Sequence, residues 1–433
     1  MKGATLSSES PVNVPSAVET VIVGAGQAGL SMSHHLSKAG REHIILEARP
    51  ALGGGWQDRW DEFCLVTPNW STSLPGFEYD GDDPDGYMPR AEIVSRLARY
   101  AAVIDAPIGL GTAVKRLTTR PDGRFHLDTT AGPIDARAVV VATGSFHRPK
   151  MPPIAAELPK RLLQLHSHEY RTEPDLPAGA ILVVGSGQSG VQLAEELFEA
   201  GRRVYLSVGS AGRMARRYRG RDCVAWLSDL ARNGERFGTT LPTVDMLPTP
   251  LAKYAGNPAM SGHGGGHDTN LREFASRGIT LLGRIERVEG ERLGLAPDLP
   301  VNLRRADQFF DERFKGLIDR YIQAAGMAAP PDDRVQFDFE PEVRDVIDLA
   351  AAGVSTVLWT TGYRMDYGWI DLPIFDERGY PRHRRGVTDA PGLFFVGLLW
   401  QHNQLSATLV GVTLDVAHVA DRMDLPAAVS SGT

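Results

Sequence analysis

Thr20 to Trp60 reads TVIVGAGQAGLSMSHHLSKAGREHIILEARPALGGGWQDRW, and the order of residue types in it decides the fold. A short apolar run, Val21-Ile22-Val23, passes straight into Gly24-Ala25-Gly26-Gln27-Ala28-Gly29, and a helical pattern follows to about Gly40. A second apolar run, His43 to Leu46, closes on Glu47. Strand, glycine turn, helix and strand, with an acid roughly twenty residues past the glycines, is the pattern of a dinucleotide-binding unit. Each part has a physical task. Gly24 makes the tight turn, Gly26 lets backbone amides approach a pyrophosphate, and Gly29 allows the helix to pack closely on the strand. The helix N-terminus then presents free N–H groups and a positive dipole end to phosphate. Glu47 is placed to accept from both hydroxyls of an adenosine ribose.

Working outward, the 433 residues exceed one ordinary domain, so two domains with separate cores are expected. Hydrophobic content of 42% with 23% charged residues describes a soluble globular chain. A formal net charge of -7 gives no electrostatic reason to bind nucleic acid or an anionic membrane. No apolar run reaches the length of a bilayer span, and residues 1–19 lack the apolar centre of a secretion signal, which reads as a polar tail on a cytoplasmic protein. Cys64 and Cys223 lie far apart and neither belongs to a C-x-x-C pair, so the chain carries neither a disulfide scaffold nor a dithiol centre.

After Glu47, the run Gly53-Gly54-Gly55-Trp56 is too flexible for a core element and too aromatic at its end for a linker, so a flat ligand is expected to rest against Trp56. The segment 65–76 reads as a loop by its proline and serine content. A helix over 91–103 is followed by strands at 113–118 and 124–129, split by the turn Pro121-Asp122-Gly123. Ala138 to Val141 is an apolar strand running into Ala142-Thr143-Gly144-Ser145, which brings Thr143 and Gly144 to the nucleotide edge. The prolines 149, 152 and 153 mark a domain crossing.

The pattern then repeats. Ile181 to Val184 enters Gly185-Ser186-Gly187-Gln188-Ser189-Gly190, a helix follows to Glu199, and a strand runs from Val204 to Leu206. Here the strand tip carries Ser207 where the first unit has Glu47, and arginines follow at 213, 216, 217, 219 and 221. Loss of the acid and gain of arginines suits a ribose bearing a 2′-phosphate, with Arg216 and Arg217 the favoured contacts. A solvated surface loop or a polyanion patch is the bland alternative for the cluster. Two such sites, one acidic and one basic, call for FAD and NADPH together. Farther on, Gly262-His263-Gly264-Gly265-Gly266-His267 holds two histidines without accompanying ligands, which does not make a metal site. An amphipathic helix is expected over 306–325.

With these elements in place, the chain from about Val21 to Asp421 resembles the class B flavin-dependent monooxygenases, in a bacterial branch near the plant YUCCA-type enzymes. The specific piece is Leu165-His166-Ser167-His168-Glu169-Tyr170-Arg171, similar to the end of that family's F-x-G-x-x-x-H-x-x-x-Y/F fingerprint. His166 and Tyr170 keep the spacing, whereas Lys160 and Leu162 stand where Phe and Gly would be. Tyr170-Arg171 departs from the Baeyer–Villiger branch, and His166 reads as a structural histidine rather than a general base. The resemblance implies an α/β architecture of two Rossmann-like dinucleotide-binding domains, with an NADPH domain (158–354) inserted into an FAD domain (1–157 and 355–433). Val354 to Tyr363 is similar to the family's return crossing, and Gly392 to Gln401 to the segment that covers the flavin ring, which brings in Gln401. Asn69 occupies a position similar to the asparagine that faces the flavin, its amide donating to an oxygen adduct while a neighbour holds its carbonyl.

The activity so implied is NADPH-dependent formation of a peroxyflavin from dioxygen, with one oxygen atom passed to a small organic substrate, nitrogen or sulfur first. Oxidative decarboxylation of a 2-oxo acid, an NADPH oxidase or flavin reductase, and a non-catalytic nucleotide-binding redox sensor are the alternatives. A homodimer is compatible with all of them.

Overall fold

The computed structural model describes residues 14–423; most of the expected polar tail, and the last ten residues, lie outside them. The apolar runs flanking the glycine motifs become central strands of two parallel sheets, because a run buried on both faces belongs at a sheet's centre. In the first sheet β1 (Ala17–Val23) lies between β2 (His43–Leu46) and β6 (Gly132–Val141), both parallel to it. β3 (Ile108–Gly109) pairs beyond β2. β4 (Val114–Thr119) and β5 (Phe125–Thr129) form an antiparallel meander that closes on the first half of β6. β7 (Arg148–Pro149) then leaves this sheet at the proline cluster.

The second sheet has the order β13 (Thr280–Leu282), β10 (Val204–Ser207), β9 (Ala180–Val184), β17 (Val354–Trp359), β8 (Leu163–His166), all parallel. Between its strands lie the hairpin β11 (Arg217–Tyr218) and β12 (Arg221–Asp222), and a small antiparallel sheet of β14 (Ile285–Glu289), β15 (Arg292–Leu295) and β16 (Val346–Asp348). β18 (Tyr363–Arg364) pairs antiparallel with β7, so the outgoing and returning crossings are bonded to one another. β19 (His383–Arg384), β20 (Val387–Thr388) and β21 (Leu393–Phe395) complete the first sheet, β21 parallel to β6.

Helices cover both sheets. α1 (Gln27–Lys38), α2 (Arg90–Val103) and α8 (Leu409–Ala420) share one apolar cluster with β1, β2 and β6, and the opposite face is closed by side chains from 367–380 and 393–398. α3 (Gln188–Glu199) and α5 (Leu271–Arg277) pack on the second sheet. A third layer joins α4 (Cys223–Asn233) to α6 (Leu299–Phe310) and α7 (Gly316–Ala324), where Trp226, Leu227 and Leu230 meet Phe310, Phe314, Ile318 and Tyr321.

Three expectations change. The strand expected to open the closing flavin segment at 355 pairs with β9 and β8 instead, so the return begins after Trp359, at β18. Leu393–Phe395, the start of the segment likened to the flavin cover, is a fully buried strand, because three successive apolar residues are placed best beside β6. The single helix over 306–325 is α6 and α7 joined through a π turn at Asp311–Lys315. α4, which the sequence analysis does not include, is capped by Asp222, whose side chain accepts from the Val224 N–H, and its buried Cys223, Trp226, Leu227 and Leu230 recur at helical spacing.

A Cβ on Gly29 would stand 1.9 Å from the Gly24 carbonyl oxygen, whereas one on Gly26 meets nothing within 4 Å. Overpacking of that kind costs about 1–3 kcal/mol or more. In the FAD-free protein, Gly29→Ala is therefore expected to lower the melting temperature by several degrees and Gly26→Ala to melt like the parent, while Gly26→Ala loses FAD on gel filtration.

Candidate functional site

The two glycine turns are built alike. Gly24 and Gly185 have φ of +108° and +112°, which only glycine adopts without strain. Gly26 and Gly187 are open where a side chain would stand, and a Cβ on Gly190 would lie 1.9 Å from the Gly185 carbonyl oxygen, as Gly29 lies to Gly24. Neither helix carries an acidic residue in its first turn, and the first intrahelical N–H donors are Leu30 and Val191. The three N–H groups ahead of each are thus aimed out of the turn, which is what phosphate binding requires.

Around the first turn, Glu47 is buried, its Oε2 accepting from the Ala25 N–H at 2.8 Å and its Oε1 from the Arg49 N–H at 2.9 Å. A carboxylate has about four acceptor positions, so two stay available for ribose hydroxyls. Gly54 lies over Gly26, and Trp56 donates its indole N–H to Gln27 Oε1 at 3.0 Å. Gln27 in turn reaches the Ala407 carbonyl at 3.4 Å. Gly144, at φ +74°, leaves space beside it, Thr143 precedes it at the end of β6, and Tyr367 Oη donates to the Gly144 carbonyl at 3.3 Å. An open glycine, a fixed acid and a flanking indole fit the phosphates, ribose and ring of FAD.

In the second unit, Gln188 takes the place of Gln27. Its Nε2 donates to the Met260 carbonyl at 2.6 Å and its Oε1 accepts from the Met260 N–H at 3.1 Å, holding a loop over the turn. Neither glutamine was singled out in the sequence, although both stand at the same position of Gly-x-Gly-Gln-x-Gly. The second turn fits a pyrophosphate as well as the first, yet two of its expected ribose contacts are committed elsewhere. Ser207 Oγ donates to the Gly283 carbonyl at 3.0 Å and is buried. Arg216 is 3% exposed, with Nη1 donating to the Val66 carbonyl at 2.7 Å and Nη2 to Asp222 Oδ1 at 2.7 Å. A buried guanidinium needs such partners, and Nη1 and Nη2 are turned to them, while Nε is buried without a hydrogen-bond partner among the described residues. Arg217 is exposed and makes no ion pair among the described residues, so it remains a candidate for the 2′-phosphate. Arg213, beside Asp307 at 3.2 Å, is the next.

Asn69 is 7% exposed. Its Nδ2 donates to the Asp83 carbonyl at 2.9 Å, and its Oδ1 is buried without a partner. This reverses the expected arrangement, in which a neighbour held the carbonyl. A carbonyl partner demands a donor, so the amide nitrogen must face Asp83. The side chain keeps one free N–H and an acceptor without a hydrogen-bond partner among the described residues. Gln401, the alternative donor, is fully buried, its Oε1 accepting from the Leu398 N–H at 3.3 Å and its Nε2 donating to the Arg385 carbonyl at 3.5 Å. Its side chain braces the turn after β21 and is not presented to a ligand.

His166, at the end of β8, donates from Nε2 to the Gly362 carbonyl at 3.0 Å and accepts at Nδ1 from the His168 N–H at 3.1 Å. Burial pushes its pKa down, consistent with a neutral ring. Tyr170 Oη donates to Glu196 at 2.9 Å, and the Asp61 N–H donates to the Arg171 carbonyl at 2.8 Å. The fingerprint thus joins α3 to the first domain's 58–64 segment. Among the described residues, no group of side chains able to hold a metal includes His263 or His267. They face carboxylates one turn apart on α3, His267 to Glu195 at 2.7 Å and His263 to Glu199 at 3.0 Å. An open cleft of about 730 Å³ lies between the loop 70–85 and the segment 217–232, with Trp70 and Pro75 on one wall and Arg217 and Arg232 on the other. None of residues 247–267 lines it.

Comparison with known proteins agrees with this architecture. A family profile described as pyridine nucleotide-disulphide oxidoreductase matches residues 21–234. An uncharacterized CzcO-like oxidoreductase from Geobacillus kaustophilus (strain HTA426) is 32% identical over 407 residues, 93% of this chain and 97% of that protein. The indole-3-pyruvate monooxygenase YUCCA1 of Oryza sativa subsp. japonica is 28% identical over 191 residues, 43% of this chain and 47% of that one. Among solved structures, a flavin-containing monooxygenase from Stenotrophomonas maltophilia shares the fold with a TM-score of 0.65 at 20% identity, covering 94% of this chain and 98% of that chain.

Two outcomes follow from the geometry. Glu195 raises the pKa of His267 above 6.5, so their bond is fully present below that value and is lost as pH rises through the folded pKa. Amide exchange over 261–267, corrected for the intrinsic rate, should accelerate across that rise, and His267→Gln should abolish the dependence. Arg217→Ala should lower the preference for NADPH over NADH by about tenfold, the loss of one charge-assisted bond. Unchanged kinetics would move the contact to Arg213.

Proposed function

From the premise that the chain belongs to the class B flavin monooxygenase-like oxidoreductases, FAD-containing and NADPH-dependent, we propose that it is a monooxygenase that passes one oxygen atom to a small organic substrate. The observation that carries this is the pair of glycine turns, identical in construction, one furnished with Glu47 and the other without an acid at its strand tip. Overall, NADPH, a proton, dioxygen and substrate become NADP⁺, oxygenated substrate and water. Without transfer, NADPH, a proton and dioxygen become NADP⁺ and hydrogen peroxide, and the substrate is unchanged. The flavin, when bound, supplies the two-electron relay from nicotinamide and the activation of dioxygen.

The chain's own part is to bind, orient and exclude water. The N–H groups of residues 27–29 and 188–190 hold pyrophosphates, and Glu47 orients the flavin's ribose. Trp56, tied to Gln27, closes one side of the first site. Asn69 offers one N–H and one buried carbonyl oxygen to the reacting region, and a fixed amide of that sort stabilises developing charge without being protonated itself. Nitrogen or sulfur oxygenation is the favoured reaction. Oxidative decarboxylation of a 2-oxo acid is the second reading, supported by the Oryza relative and by Arg232 in the cleft, which suits a carboxylate. Trapping labelled carbon dioxide from a 2-oxo acid screen distinguishes the two.

Asn69→Ala should leave FAD content and anaerobic flavin reduction by NADPH within about twofold of the parent, since those depend on the glycine turns. Loss of one preorganised donor costs on the order of 3 kcal/mol, about a hundredfold, so most NADPH should end as hydrogen peroxide. Asn69→Asp keeps an acceptor and loses the donor, and should behave like the alanine variant if donation is the function. Unaltered coupling in both would remove Asn69 from the reaction.

A further inference from the structure

Arg216 crosses between the two domains, and we infer that with Asp222 and Tyr87 it forms a positioning clamp that holds the Asn69 turn from the nucleotide side. The inference rests on the role of Asn69 proposed above. That turn is a pair of chain segments bonded to each other: Leu65 N–H to the Met88 carbonyl at 2.9 Å, Asn69 N–H to Gly86 at 2.8 Å, Trp70 N–H to Pro84 at 2.9 Å. The clamp grips both. On one segment, Arg216 Nη1 donates to the Val66 carbonyl, three residues ahead of Asn69. On the other, the guanidinium lies 5.0 Å from the ring centroid of Tyr87, whose hydroxyl donates to Asp222 Oδ2 at 3.0 Å. Tyr87 adjoins Gly86, the residue that accepts the Asn69 N–H.

The nucleotide side of the clamp is itself fixed. Asp222 Oδ1 accepts from Arg216 and also from the Val224 N–H at 2.7 Å, as the cap of α4. Arg216 is further tied by its carbonyl to the Cys223 N–H at 3.0 Å and by Nη1 to the Ser261 carbonyl at 3.3 Å. A planar fork is needed to reach Val66 and Asp222 at once while lying against an aromatic ring, and a lysine ammonium on the same stem cannot do all three. A shift of about 1 Å in a positioned group is enough to cost orders of magnitude in rate. The side chain that sets where Asn69 stands therefore belongs to the domain that binds NADPH, and its effect should appear in how reducing equivalents are spent and not in which nucleotide is bound.

The test uses Tyr87→Phe, which deletes one hydrogen bond and keeps the ring, and Arg216→Lys, which keeps the charge and loses the fork. Arg216→Ala is avoided because it strands Asp222 inside the protein. In the full-length protein as isolated, amide exchange over residues 65–88 should quicken about tenfold in both variants, with β9 and α3 unchanged. With NADPH, air and no added substrate, hydrogen peroxide release should rise severalfold, while anaerobic flavin reduction and the KM for NADPH stay within about twofold. Adding either change to Asn69→Ala should raise peroxide no further. Unchanged exchange over 65–88 overturns the clamp, and so does a peroxide effect that adds to that of Asn69→Ala. If Asn69→Ala alone leaves peroxide unaltered, the reading of Asn69 falls, and the exchange data by themselves decide whether the clamp holds the turn.

Discussion

Much of this molecule depends on how near a helix can come to the strand before it. In both nucleotide units the third glycine stands so close to the first that a single methyl group would overlap a carbonyl oxygen. That contact sets the helix start directly over the end of the central strand. Three N–H groups then point at one place, where they add to the helix dipole in attracting phosphate. The neighbouring parallel strands end at the same level, and their following turns, Ala142-Thr143-Gly144 and Thr360-Thr361-Gly362, pack against the glycines. The ligand crevice at each sheet edge is a consequence of that alignment.

Each turn also recruits distant chain through one glutamine. Gln27 gathers Trp56 and the segment before α8, and Gln188 holds both backbone groups of Met260. A primary amide is suited to this because it donates and accepts at one end of a short stem. The loop beyond Met260 is then pinned along α3 by His263 and His267. One device thus orders the walls of both crevices.

The interface between the domains carries directional contacts beside apolar ones, since Trp60, Phe63 and Leu65 of the first domain share a cluster with Val191, Leu193 and Leu197 of the second. Arg171, Tyr170 and Asp61 tie the fingerprint to the first domain, β7 pairs with β18 at the crossings, and Arg216 reaches over to Val66. Hydrogen bonds fix direction where apolar contact does not, so such an interface sets the angle between two binding sites as well as joining them. Arg216, almost fully buried, is held by its partners, and removing its charge would leave Asp222 unmatched.

The local chemistry of the glycine turns was legible in the chain itself. Glycine at 24, 26 and 29, the acid at 47 and the repeat at 185, 187 and 190 act through backbone conformation and short-range spacing, and both are written in consecutive residues. The strands beside them were legible for the same reason, since an unbroken apolar run can be placed only at a sheet's centre. What side chains far from the turns do was decided by tertiary structure. Five arginines in nine residues look alike in sequence, yet burial commits Arg216 to Val66 and Asp222 and leaves Arg217 in solvent. Ser207 and Gln401 were drawn inward by carbonyls at Gly283 and Arg385, and the amide of Asn69 was turned around by the carbonyl of Asp83. Those partners come from segments far along the chain or from loops whose course no local pattern specifies, and a polar side chain goes to whichever buried group would otherwise be left without a bond.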